Sequence, residues 1–118
     1  MAHKGYTLNY FINFFSNIPS NRFTTCELLS NTGNRMCALG HAGSADRKPS
    51  LAGRSTYQVR GLPTEARARA LASFLGGAST VARINDGYGP YSGLGKTPRA
   101  RILRALRNRK STGNVLGE

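Results

Sequence analysis

Lys96-Thr97-Pro98-Arg99-Ala100-Arg101-Ile102-Leu103-Arg104-Ala105-Leu106-Arg107-Asn108 is the stretch on which the reading of this chain turns. Thr97 has a hydroxyl that suits a helix cap, and Pro98 fits the first helical turn, where a backbone N–H has no partner to lose. Ile102, Leu103 and Leu106 then recur at the spacing of one helix face. The stretch predicts a helix from Thr97 to about Asn108 with those residues turned inward. Arg101, Arg104 and Arg107 step by three beside that face and read as a basic stripe. Lys96, Arg99, Arg109 and Lys110 extend it, and no acid lies between Asp86 and Glu118. A solvated helix face usually alternates sign, whereas this one does not, so the stripe matches a phosphate backbone.

Upstream of this helix, Asp86 to Gly95 reads as a Gly-Tyr-Pro loop, and Ser79 to Ile84 as one short turn burying Val81 and Ile84. Pro63 and Thr64 open a helix running to about Leu75, with Ala70, Leu71, Phe74 and Leu75 inward, Arg67 and Arg69 outward, and Gly76-Gly77 ending it. Residues 40–61 are loop-like. Residues 22–40 read as a hairpin: Phe23-Thr24-Thr25-Cys26 has strand character and Asn31-Thr32-Gly33-Asn34 has turn chemistry. Met36-Cys37-Ala38-Leu39 returns either as the second strand or as the first turn of a helix. At the front, Thr7 caps a helix whose Leu8, Phe11, Ile12, Phe15 and Ile18 share a face, and Pro19 stops it. The expected fold is α+β: a compact, mostly helical single domain over 1–118, with three main helices and a small hairpin, and flexible tails at 1–6 and 111–118.

The chain has 118 residues, enough to hide about two-thirds of its unfolded surface. Seventeen Lys and Arg against five Asp and Glu give a net charge of +12, and Arg dominates. Guanidinium forks grip phosphate with paired hydrogen bonds, and a polyanionic partner would offset so large a charge. With five acids and two histidines, little is left for acid–base catalysis, so no enzyme and no catalytic residue is expected. No stretch approaches the length of a membrane span and no signal segment opens the chain. The expectation is a cytoplasmic protein of a reducing cell interior, with free thiols and no membrane partner.

The remaining constellations are weaker. Gly93-Leu94-Gly95-Lys96-Thr97 resembles half of a nucleotide P-loop, but Pro90 stands where the motif needs its first Gly. Cys26, Cys37 and His41 fall short of a zinc set, with ten and three residues between them and His3 the one other histidine. Neither a metal nor a cofactor is expected. Tyr57, Tyr88 and Tyr91, near Arg54, Arg60 and Arg83, could stack on bases or pack inward; Tyr88 and Tyr91 are the stacking candidates. Asn85-Asp86 suits capping of a loop backbone.

Tyr10-Phe11-Ile12-Asn13-Phe14-Phe15, Cys37-Ala38-Leu39-Gly40-His41-Ala42-Gly43, Ile84-Asn85-Asp86-Gly87 and the Thr97-Pro98 helix occur in an order that resembles a family of small uncharacterised proteins of tailed phages and prophages. Ala42 stands where many relatives carry a second Cys. The resemblance implies a phage origin and a compact, mostly helical fold, and no activity. The leading functional expectation is therefore sequence-independent nucleic-acid binding, within a viral or ribonucleoprotein assembly, through Lys96, Arg99, Arg101, Arg104, Arg107 and Arg109. The alternatives are sequestration of a nucleotide signal in phage counter-defence and a structural role in the virion.

Overall fold

The computed structural model describes residues 5–47, 49–54 and 65–118. Thr7 caps α1 (Leu8–Ser16), its hydroxyl accepting the Tyr10 N–H at 3.0 Å. The short α2 (Ala38–Ala42) is capped by Cys37, whose sulfur accepts the Gly40 N–H at 3.4 Å. Helices α3 (Ala66–Leu75) and α4 (Ala78–Asp86) are separated by Gly76 and Gly77. Helix α5 (Pro98–Thr112) begins where Thr97 accepts the Ala100 N–H at 3.1 Å. Short 3-10 segments at Ser20–Arg22, Ala45–Arg47, Pro49–Leu51 and Gly89–Leu94 join these pieces.

Helix α5 is the post around which the others stand: it packs on α1, α3 and α4 and touches α2. Its inner side carries Ile102, Leu103, Ala105 and Leu106, all buried against a core that includes Phe11, Phe15, Leu71, Val81 and Ile84. Ring contacts extend the core along one flank, from Tyr10 through Phe11 and Phe15 to Phe23 and His41. Apolar burial of this kind is the main favourable term in folding.

The hairpin expected over 22–40 is not formed, so among the described residues the fold is mostly helical with no sheet, and not α+β. The segment makes only isolated bridges, Phe23 to Met36, Leu29 to Met36 and Leu29 to Ala52. Three features break the strand pattern. Cys26 has φ 64°, a left-handed conformation costly for a non-glycine residue. Leu28 and Leu29 are both buried, which period-two alternation does not allow. Backbone groups that a partner strand would have paired are taken by side chains at the end of α4: Asn85 donates Nδ2 to the Thr24 carbonyl at 2.9 Å, and the Asp86 carboxylate accepts the Cys26 N–H at 3.0 Å. The returning Met36–Leu39 piece resolves into a helix cap and the first turn of α2.

Other boundaries move as well. The turn expected at 79–84 is a full helix, giving four helices of nine or more residues among those described, where three were expected. Helix α1 ends at Ser16, before Ile18, and α5 continues past Asn108 to Thr112. Beyond it, the Val115 carbonyl accepts Asn108 Nδ2 at 3.0 Å, and Val115 packs against the core. Pro63 and Thr64, proposed as the start of α3, lie outside the described residues.

Helix α2 is wedged tightly between neighbours. A Cβ on Gly40 would overlap the Leu28 carbonyl oxygen, a backbone atom that cannot swing aside. Gly40→Ala is therefore expected to destabilise the fold by about 1–3 kcal/mol, the usual cost of overpacking, read as a fall in the urea midpoint. His41, one turn into α2, is buried with its Nε2–H donated to the Arg22 carbonyl at 3.0 Å. Burial holds its pKa down at about 4, against the pull of that carbonyl and of Asp46. The unfolded chain takes up this proton near pH 6.5, so between 6.5 and 4 the unfolded state binds more protons and stability falls as the pH falls. Between pH 7 and pH 5 the expected loss is about 2 kcal/mol, and His41→Gln should flatten it; an equal slope in both proteins would contradict the assignment.

Candidate nucleic-acid interface

Three arginines do not face solvent with the rest of the charge. Each sits in the first turn of its own helix and reaches the last carbonyls of another. Arg67, at the start of α3, donates Nε to Ala42 O at 2.7 Å and Nη2 to His41 O at 3.1 Å, closing the end of α2. It also bonds Ser44 Oγ at 3.0 Å and lies over the Phe14 ring at 4.5 Å. Arg99, at the start of α5, donates Nη2 to Ser16 O at 2.8 Å and Nε to Ile18 O at 2.9 Å, closing the end of α1. Arg101 is buried and donates Nε to Ile84 O at 3.0 Å, Nη2 to Asn85 O at 2.6 Å and Nη1 to Gly95 O at 3.1 Å, closing the end of α4. Burial lowers its pKa and the charge of Asp86 opposes that shift. Helix C-termini concentrate unpaired carbonyls and partial negative charge, so a guanidinium satisfies both needs at once.

The stripe drawn from sequence divides accordingly. A step of three residues falls about 60° short of a full turn, so Arg101 and Arg107 are about 120° apart around the helix. Arg101 consequently points inward, while Arg104 and Arg107 are exposed. Lys110 is exposed too, a further 60° round the helix so that Arg104 and Lys110 bound a sector of about 120°, and it donates Nζ to Asn9 Oδ1 at 2.7 Å. Arg109 is half-buried, and Lys96 is exposed just before the helix. The outer face of α5 thus presents Arg104, Arg107 and Lys110 over a rise of about 9 Å, comparable to two or three phosphate steps along a strand.

Of the stacking candidates, Tyr88 is 69% exposed, while Tyr91 is half-buried against the core. Tyr57 and Arg60 lie outside the described residues. Tyr88 borders an open cleft of about 530 Å³ lined by Cys26, Arg83, Asp86, Gly87 and Gly89 as well. Sequence reasoning singled out Tyr88 there but not the cleft. An aromatic between two glycines, Gly87-Tyr88-Gly89, has no side-chain neighbour to pack on, and that was the available signal. The Cys26 thiol is held above its ordinary value, first by the charge of Asp86 and then by burial, which disfavours the nucleophilic thiolate.

The other motifs serve the backbone. Gly95 hands its carbonyl to Arg101, and a Cβ there would meet the Ala100 Cβ at 2.9 Å. Cys37 caps α2, His41 binds a carbonyl and Cys26 sits at the cleft, and among the described residues no three His, Cys, Asp or Glu are grouped to hold a metal ion. No helix among them is long and apolar enough to cross a membrane. No family model, curated protein or solved structure matches the chain.

The two arginine classes should behave differently in denaturation. Arg101→Met removes the guanidinium from three carbonyls, of which Ile84 O keeps the Gly87 N–H, and is expected to cost on the order of 3 kcal/mol. Arg104→Met should stay within about 0.5 kcal/mol of the parent. Equal effects would show that Arg101 does not carry the end of α4.

Proposed function

We propose that the protein is a non-enzymatic binder of nucleic acid that grips the phosphate backbone through the outer face of α5, without reading base order. The observation that carries this reading is the exposed run Arg104, Arg107 and Lys110 on a helix rigidly seated in the core, in a chain of net charge +12. Lys96 extends the run at the helix start, and Arg109 flanks it. Arg99 and Arg101 act one step back: their guanidinium groups fix the helix whose outer face makes the contacts. A seated helix loses little freedom on binding, which favours affinity at a given charge. The phage resemblance points to a viral genome or transcript as the natural partner.

Phosphate contacts release counterions, so affinity should fall steeply with salt. For a single-stranded oligonucleotide, the slope of log affinity against log salt is expected to shrink by about 2 in the triple variant Arg104→Gln, Arg107→Gln, Lys110→Gln. Fluorescence anisotropy from about 50 to 200 mM salt measures it. Salt-independent binding, or a slope unchanged in the triple variant, would contradict the assignment.

A further inference from the structure

We infer that the cleft between Cys26 and the 86–89 turn is a seat for one unpaired nucleobase bearing an exocyclic amino group, stacked on Tyr88 with its phosphate toward Arg83. The cleft has the size of a small-ligand site, about 530 Å³. Its lining combines functions that few ligands satisfy together. Tyr88 supplies a flat apolar face and, among the described residues, is the large hydrophobic side chain left most open, at 69% exposure. Its backbone is nevertheless held in place: the N–H binds Arg83 O at 3.0 Å and the carbonyl accepts the Tyr91 N–H at 3.2 Å. An exposed aromatic ring carried on an ordered turn is a ready stacking platform. Gly89, at positive φ and with open space where a Cβ would stand, leaves the backbone beside it bare, so a planar ring can lie close on that side.

The polar groups narrow the ligand class further. Arg83 is an exposed cation on the cleft wall. Asp86 is an acceptor whose carboxylate is oriented by the Cys26 N–H at 3.0 Å and by Asn85 Nδ2 at 3.0 Å. A carboxylate beside the cleft repels a bare anion, so inorganic phosphate fits poorly. It favours an edge that offers N–H donors, as the amino groups of adenine, cytosine and guanine do. The edge of uracil or thymine, one N–H between two carbonyl oxygens, is disfavoured. A stacking face, a donor-seeking carboxylate and a phosphate-seeking guanidinium describe a nucleotide with an amino-bearing base.

The inference adds to the α5 reading a preference for composition and for unpaired strands, and it rests on that reading only for the expectation that the base belongs to a longer chain. Titration of the whole protein with AMP, CMP, GMP, UMP and inorganic phosphate, followed by calorimetry and the Tyr88 ring resonances, tests it. AMP, CMP and GMP should bind at least about fivefold more tightly than UMP, the worth of one net hydrogen bond from the amino group to Asp86, and more tightly still than phosphate, which has no base to stack. Tyr88→Ala and Arg83→Gln should each weaken that binding, Tyr88→Phe should keep it, and Arg104→Gln with Arg107→Gln should leave it unchanged. Binding of UMP as tight as that of AMP, full affinity in Tyr88→Ala, or no mononucleotide binding would overturn the cleft assignment. Strand binding that persists in those cases with its salt slope would leave the α5 face standing. Mononucleotide binding without any salt-sensitive strand binding would do the reverse.

Discussion

The guanidinium of Arg101 enters the molecule where α4 runs out of hydrogen-bond partners, and three pieces of chain are fixed from that point. It takes the carbonyls of Ile84 and Asn85, and through Gly95 it draws the far end of the 87–95 loop against the start of α5. The space it needs dictates its neighbour: a Cβ on Gly87 would come within 2.9 Å of the guanidinium carbon, at a φ of 69° that already favours glycine. Asn85 works from the same helix end in the opposite direction. Fully buried, it accepts the Ala38 N–H on Oδ1 at 2.9 Å and donates Nδ2 to Thr24 O, so α4 also holds the start of α2 and the 24–26 segment. A buried charge without partners would be costly, and here the carbonyl lone pairs supply them.

Arg67 and Arg99 repeat the device at α2 and α1. A cation in the first turn of its own helix faces the positive end of that helix, an unfavourable place. Reaching across to the negative end of another helix offsets this, and it ties helix starts to helix ends throughout the molecule. With five acids in the chain, carbonyls are the more plentiful anionic surface available inside. The large positive charge therefore divides into an internal part that sets the helices and an external part that is open to a polyanion; the external part includes the outer face of α5, Arg83 beside Tyr88, and Arg22, Arg35, Arg47, Arg54 and Arg69.

The local signals for helices were well legible. The hydroxyl caps at Thr7 and Thr97, Pro98 in the first turn, and the inward spacing of Ile102, Leu103 and Leu106 all encode structure within a few residues. What escaped was decided at long range. Residues 22–40 have strand-like composition, but the Thr24 carbonyl and the Cys26 N–H bond side chains about sixty residues away in sequence, at Asn85 and Asp86, and the Leu28 N–H bonds the Arg54 carbonyl. A stripe drawn by threes merged Arg101 with Arg104 and Arg107, because the rotation per step was ignored. The misplaced positive charge of Arg67 and Arg99 in first turns was a readable hint that they belong to other helices. The cleft at Tyr88 could not be drawn from sequence, since Cys26 and Asp86 meet only through the fold.

Arginine acts in this protein in two physically distinct populations. Amide-type exchange at the arginine Nε–H groups, followed by NMR in the free protein, tests it most directly, because Arg67, Arg99 and Arg101 each donate Nε to a carbonyl. The account predicts slow exchange at these three and fast exchange at the exposed Arg104 and Arg107. One common, fast rate for all five would contradict it.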